Sequence, residues 1–203
     1  MMEIKNVVFD IGNVLADYRW HGFLQDKGFS PEMIDRIAAC SVRNPAWNEF
    51  DRGVLSDDEV TQSFIRLDPE IAQELHHAFD DLTGILRIFP DTISMLERLK
   101  AAGYHIYYLS NYSRKAIRDC PGAIAFLPLM DGGIFSCNVG LIKPEPAIYR
   151  LLMETYGLVP SETVFLDDRQ ENVDGALRVG MQAIRYESRE QAEQALREMG
   201  VVY

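Results

Sequence analysis

Four short runs of apolar residues punctuate the chain, and each of the first three stops at a polar residue. Residues 4–9 carry Ile4, Val7, Val8 and Phe9 and stop at Asp10; residues 104–109 read Tyr-His-Ile-Tyr-Tyr-Leu and stop at Ser110; residues 163–166 stop at Asp167 and Asp168; residues 181–185 form the fourth run. Nearly continuous apolar runs of this length mark strands buried on both faces. The stretches between them have helical spacing. Ile93, Leu96, Leu99 and Ala102 recur every three residues before Gly103, and Ile148, Leu151, Leu152 and Tyr156 lie between Pro146 and Gly157. Residues 172–179 end at Gly180 and residues 189–199 at Gly200. A glycine placed just past a periodic segment supplies a helix C-cap. Strand, helix, strand alternation predicts an α/β fold: a Rossmann-like parallel sheet core with helices on both faces.

One stretch interrupts the alternation. Residues 17–87 contain no convincing strand, but Met33, Ile34, Ile37 and Ala38 have helical spacing, as do Val60, Phe64 and Ile65, and Leu75, Ala78, Phe79 and Leu82. Some 70 residues of helix is far more than the usual ~2–6 residue connection after a strand. The expected organisation is a core of residues 1–16 and 88–203 with an inserted helical subdomain, residues 17–87.

Charge and cysteine content narrow the function. With 31 acidic and 20 basic residues the net charge is −11, a field that repels nucleic acid and anionic membrane. A small anionic substrate remains compatible, because a local cation can reverse the field inside a pocket. The three cysteines (Cys40, Cys120, Cys137) form no CxxC pair, which fits a reducing, cytoplasmic setting. The start lacks a signal peptide's apolar region, and no apolar run approaches the ~18 residues of a membrane span; no heptad seam is present, which leaves the oligomeric state open, with a monomer favoured.

In an open parallel sheet, ligands bind beyond the carboxyl ends of the strands. Asp10, the Ser110-Asn111 pair and Asp167-Asp168 all fall there, and Lys143 precedes Pro144, which favours an extended residue before it. An isolated Asp after a strand is ordinarily a turn or helix-capping residue, and an isolated lysine a solvated one. Together they describe other chemistry. A carboxylate leaving a buried strand is a candidate nucleophile or metal ligand. Several carboxylates at one rim call for a cation among them, and oxygen-only ligands favour Mg2+ over zinc. A lysine with a Ser-Asn pair can grip phosphoryl oxygens.

These residues carry a resemblance to a known family. Val7-Val8-Phe9-Asp10-Ile11-Gly12-Asn13-Val14-Leu15, Tyr108-Leu109-Ser110-Asn111, Lys143 within Gly-Leu-Ile-Lys-Pro-Glu-Pro, and residues 164–172 with Asp167 and Asp168 are similar, in order and spacing, to the four motifs of the haloacid dehalogenase-like hydrolase superfamily. The helical insert resembles that family's C1 cap, and residues 47–53 (Trp-Asn-Glu-Phe-Asp-Arg-Gly) resemble a recurrent cap segment. The resemblance implies a Mg2+-dependent phosphatase acting on a small phosphorylated metabolite through an aspartyl-phosphate. Asp10 is then the nucleophile. Asp10, the backbone carbonyl of Gly12 and Asp168 ligate the metal, with Asp167 acting through a water. Ser110 and Lys143 grip the phosphoryl group, the backbone of Asn111 assists, and Asn172 supports the fourth-motif loop.

One position departs from the pattern. The family's second Asp, two residues after the nucleophile, serves as general acid and base; here it is Gly12, followed by Asn13. A positioned acid is worth roughly 10²–10⁴-fold in rate. Without it the expected behaviour is a steep dependence on leaving-group stability, with alkyl phosphates turned over poorly. Restoring it by Gly12→Asp is expected to clash in a loop shaped around glycine. The Asp-x-Gly-Asn pattern resembles bacterial sugar-1-phosphate phosphatases, so a sugar phosphate is among the expected substrates. Two alternatives stand beside this reading: a metal-independent haloacid dehalogenase, and a catalytically impaired protein that binds phospho-ligands. His21 and Trp20 are candidates for the mouth of the insert, and Arg43 and Arg52 for meeting an anionic substrate; His76 and His77, adjacent on a helix, diverge too far to share a metal.

Overall fold

The first apolar run becomes the middle strand of the sheet. The computed structural model describes residues 3–203. From the amino end it runs β1 (Asn6–Phe9), β2 (Ala16–Tyr18), α1 (Trp20–Asp26), α2 (Pro31–Cys40), α3 (Trp47–Arg52), α4 (Asp57–Leu67), α5 (Ala72–Phe79) and β3 (Leu86–Ile88). It continues with α6 (Thr92–Ala101), β4 (His105–Ser110), α7 (Arg114–Asp119), β5 (Gly132–Phe135), α8 (Ser136–Val139) and α9 (Pro146–Tyr156). The last elements are β6 (Thr163–Asp167), α10 (Gln170–Arg178), β7 (Gln182–Arg185) and α11 (Arg189–Glu198). Five strands form one parallel sheet in the order β5-β4-β1-β6-β7. The change of direction at β1 is the switch point at which such sheets bind ligands.

The pleat sends alternate residues of β1 to opposite faces. Val7 and Phe9 join one apolar cluster with Ile106, Val164, Leu166, Leu96, Leu99 and Leu196, which brings α6 and α11 onto that face. Val8 points the other way, into a cluster with Leu109, Phe165, Ile148, Tyr149, Leu152 and Ala176, which brings α9 and α10 onto the opposite face. The expected two-sided α/β architecture is therefore present.

The structure adds three strands the sequence did not announce. β5 reads Gly-Gly-Ile-Phe and pairs with β4; glycines are poor strand formers and conceal it. They are there because aromatic rings cover the strand: a Cβ on Gly132 would lie 2.3 Å from the Tyr156 ring, and one on Gly133 the same 2.3 Å from Tyr108. β2 and β3 form a separate antiparallel ribbon, Ala16 opposite Ile88 and Tyr18 opposite Leu86. This corrects the view of residues 17–87 as free of strand at both of its ends. Three-residue strands are too short to display a period of two. Between the ribbon's strands lie α1 to α5, of which α3, α4 and α5 share a cluster of Trp47, Phe50, Phe64 and Phe79, with the rings of Trp47 and Phe64 stacked 5.9 Å apart.

Candidate active site

Asp10 follows the last residue of β1, Ser110 ends β4 and Asp167 ends β6, so parallel register alone delivers three polar side chains to one rim. Lys143 comes from the loop between α8 and α9. Its ammonium lies 2.9 Å from Oδ1 of Asp10 and 2.6 Å from Oδ2 of Asp167. Asn111 fixes that loop: its side-chain carbonyl accepts from the Lys143 backbone N–H at 2.8 Å and its amide donates to the Lys143 carbonyl at 3.1 Å. The Asn111 side chain is therefore committed to positioning Lys143.

Asp167 is fully buried, and both its oxygens are engaged. Besides Lys143 it accepts from the Asn172 amide at 3.0 Å and from the backbone N–H of Arg169 at 2.8 Å. Asp168 is differently placed. Its Oδ2 accepts from the Asn13 amide at 2.9 Å and it faces a cavity. Asn13 holds this position from a left-handed backbone (φ 58°), which asparagine tolerates, and its side-chain carbonyl accepts from the Tyr18 N–H at 3.2 Å.

The cavity has a volume of about 280 Å³, and Asp10, Gly12, Ser110, Asn111, Lys143 and Asp168 line its sheet side. The opposite side comes from the helical insert and its flanks: Val42, Trp47, Asp51, Leu82, Ile85 and Leu86. Asp51 has no counterpart in the sequence expectation. Nothing in the pattern of residues 47–53 distinguishes it from a solvated helix carboxylate; only the folded position does. Trp20, His21, Arg43 and Arg52 do not line the cavity. Arg43 pairs with Asp35 at 3.1 Å, and Arg52 is tied to Glu145 and to the Gly140 carbonyl.

Electrostatics follow from this geometry. Burial pushes the Asp10 carboxyl upward and the Asp167 charge adds to it, while Lys143 and the Ser110 hydroxyl pull it back. Burial also raises Asp168, against the hydrogen bond from Asn13. Lys143 is held above its ordinary range, its burial outweighed by Asp10 and Asp167. Asp10, Asp167 and Asp168 each place a carboxylate oxygen within 4.8 Å of the others. This hard-oxygen set around a single lysine leaves an excess of negative charge in a buried place, which fits a divalent cation of the Mg2+ type. The space left by Gly12 is open: a Cβ there would meet nothing nearer than the Tyr18 Cβ at 3.7 Å. A β-carbon at residue 12 therefore fits, contrary to the clash expected for Gly12→Asp.

Comparison with known proteins agrees with this arrangement. A family model for haloacid dehalogenase-like hydrolases matches residues 4–180. The sesquiterpene phosphatase astK of Aspergillus oryzae is 28% identical over 180 residues, 87% of each chain. The drimenol cyclase drtB of Aspergillus calidoustus is 24% identical over 95% of this chain, which spans 36% of that longer protein. Among solved structures, an enzyme of the same family from Bacteroides thetaiotaomicron, in complex with magnesium and inorganic phosphate, superposes with a TM-score of 0.71 at 21% identity, covering 96% of this chain and all of the other. Among the described residues no helix is long and apolar enough to cross a membrane.

Proposed function

The chain belongs to the haloacid dehalogenase-like hydrolases, and we propose that it is a Mg2+-dependent phosphoric monoester hydrolase acting on a small phosphorylated metabolite. The observation that carries this reading is the convergence of Asp10, Ser110, Lys143 and Asp168 on one cavity at the switch point of the sheet. The Asp10 carboxylate is the nucleophile toward phosphorus, giving an aspartyl-phosphate that water then hydrolyses. Lys143, held by Asp167 and Asn111, stabilises charge on the phosphoryl oxygens, with Ser110 beside it. Asp167 and Asn172 keep that lysine in place. Asp10, Asp168 and the Gly12 carbonyl would hold the cation, with Asp167 behind them; when bound it neutralises charge on the phosphoryl group being transferred. Residues 17–87 act as the cap over this site, and the buried, unpaired cysteines suit a reducing, cytoplasmic setting.

A specific observation bears on the substrate. Apart from Asp51, the insert side of the cavity is apolar, made by Val42, Trp47, Leu82, Ile85 and Leu86. That wall favours an ester whose alcohol half is apolar over a sugar phosphate. A dehalogenase reading is disfavoured, because Asp168 beside Asp10 would repel a carboxylate substrate. The test is phosphate release from a panel holding isoprenoid monophosphates and hexose 1-phosphates, with and without Mg2+, for the wild type and Asp10→Asn. Mg2+-dependent release lost in the variant is expected, with the isoprenoid esters preferred. Chloride release from 2-haloacids without metal would replace the reading.

A further inference from the structure

The phosphatase reading leaves one chemical need unmet: residue 12 has no side chain to protonate the departing oxygen. We propose that Asp51, carried by the helical insert on α3, is the general acid that protonates the leaving group, and the base that later activates water. The inference rests on the phosphatase reading and names the residue that completes it.

Asp51 lines the same cavity as Asp10, Lys143 and Asp168, from the opposite wall. The other two cavity carboxylates are held: Asp10 by Lys143, Asp168 by Asn13. Among the described residues neither a hydrogen bond nor an ion pair holds the Asp51 carboxyl; only charges at a distance act on it. Its backbone, by contrast, is fastened to the core. The Ser136 hydroxyl donates to the Asp51 carbonyl at 2.6 Å and accepts from the Tyr112 N–H at 2.9 Å. At the next two residues, Arg52 is paired with Glu145, and Arg114 donates to the Gly53 carbonyl. Gly53 sits in the left-handed region (φ 65°) so close to α8 that a Cβ would lie 2.7 Å from the Cys137 Cβ. A fixed backbone with an unpaired carboxyl aimed at a cavity is what proton transfer requires and what a structural carboxylate would not show.

The titratable and charged groups facing Asp51 are Asp10, Lys143, Arg169, Tyr18 and the Cys137 thiol. Burial and the Asp10 charge push its carboxyl up to about 7, with Lys143 and Arg169 opposing. Tyr18 is raised well above its ordinary value by burial and by Asp51, so it stays neutral. A donor poised near neutrality suits general acid catalysis at that pH.

The step balances as follows. An Asp10 carboxylate oxygen forms a bond to phosphorus while the bond from phosphorus to the ester oxygen breaks; the Asp51 carboxyl gives its proton to that oxygen, which leaves as the alcohol. Water then attacks the aspartyl-phosphate, the Asp51 carboxylate takes a proton from it, and Asp10 and inorganic phosphate are released.

The experiment measures kcat/KM for phosphate esters of graded leaving-group pKa, from 4-nitrophenyl phosphate to simple alkyl phosphates. A shallow series is expected for the wild type. Asp51→Asn should lower alkyl phosphate turnover by roughly 10²–10⁴-fold while changing 4-nitrophenyl phosphate less than about tenfold. In the wild type, kcat/KM for alkyl phosphates should fall as pH rises past about 7, because the acid must be protonated, and that limb should vanish in Asp51→Asn. A steep series in the wild type overturns the proposal without reference to any variant. An equal loss for aryl and alkyl esters, or no loss, overturns it too. Absence of Asp10-dependent phosphate release from every ester would instead overturn the phosphatase reading beneath it.

Discussion

On the sheet side of the cavity, Asp10, Ser110 and Asp167 stand where buried strands stop, and hydrogen-bonded register sets their spacing. On the insert side, Asp51 is the fifth residue of a six-residue helix whose place depends on contacts as remote as Ser136, 85 positions along the chain. The first wall is made by repetition of backbone pairing; the second is made by a handful of side-chain tethers. Strand-end residues can therefore be altered with loss of chemistry and little movement. The insert side can be disabled from a distance, by cutting a tether without touching a reacting group.

The largest effect tests the sheet side. Asp10→Asn is nearly isosteric, so circular dichroism should be unchanged while phosphate release drops more than about a hundredfold; retention above that level removes Asp10 as nucleophile. Next come the two adjacent carboxylates, which the structure separates. Asp168→Ala should raise the Mg2+ concentration for half-maximal activity by about tenfold or more, and more than Asp167→Ala does, because Asp168 faces the cavity. Asp167→Ala should appear in a melting curve instead. It leaves the buried Lys143 with Asp10 alone and strips the Asn172 amide and the Arg169 N–H of their acceptor, at about 3–5 kcal/mol, which lowers Tm by roughly 6 °C or more. Similar Mg2+ dependence in both variants would erase the distinction.

The insert side should respond selectively. Ser136→Ala removes the hydroxyl that joins Asp51 to Tyr112 without entering the cavity. Alkyl phosphate kcat/KM should fall about three- to tenfold, the equivalent of roughly 1 kcal/mol, with 4-nitrophenyl phosphate unchanged. Equal effects on both esters would mean the tether merely holds the fold.

The smallest effect is on stability. Asp51 ionises less readily in the folded chain, where burial raises it to about 7, than in the unfolded one. The folded state thus binds the extra proton between about pH 4 and 7, and the metal-free protein loses stability as pH rises through that window. Asp51→Asn removes this cost. Its Tm should exceed the wild type's at pH 8 and match it at pH 4. A lower Tm at pH 8 would show Asp51 to be structural.

Much of the sheet side was legible because each signal was local. The apolar run ending at Asp10, the Pro144 after Lys143 and the glycines closing α6, α9 and α10 each say something about their own few residues. Asn111 lines the cavity at the strand end where the sequence puts it, but its role as the clamp on Lys143 is not legible, since its two hydrogen bonds reach 32 positions along the chain. β5 was hidden because Gly132 and Gly133 were selected by the rings of Tyr156 and Tyr108 rather than by strand propensity. Asp51 was hidden for a related reason: Trp47, Phe50 and Gly53 reveal a packed helix with a glycine end, but not which way its fifth residue looks.

The ribbon of β2 and β3 carries both chain crossings between sheet and insert, and they are hydrogen-bonded to each other from Ala16–Ile88 to Tyr18–Leu86. A body hung on two separate threads can swing and twist independently; one hung on a ribbon bends chiefly about a single line. The tethers from Ser136, Arg114 and Glu145 to residues 51–53 supply a further point of attachment between insert and core. With two paired crossings and that third point the insert is located as a tripod is, and the place of Asp51 over the cavity belongs to the whole frame rather than to its own short helix.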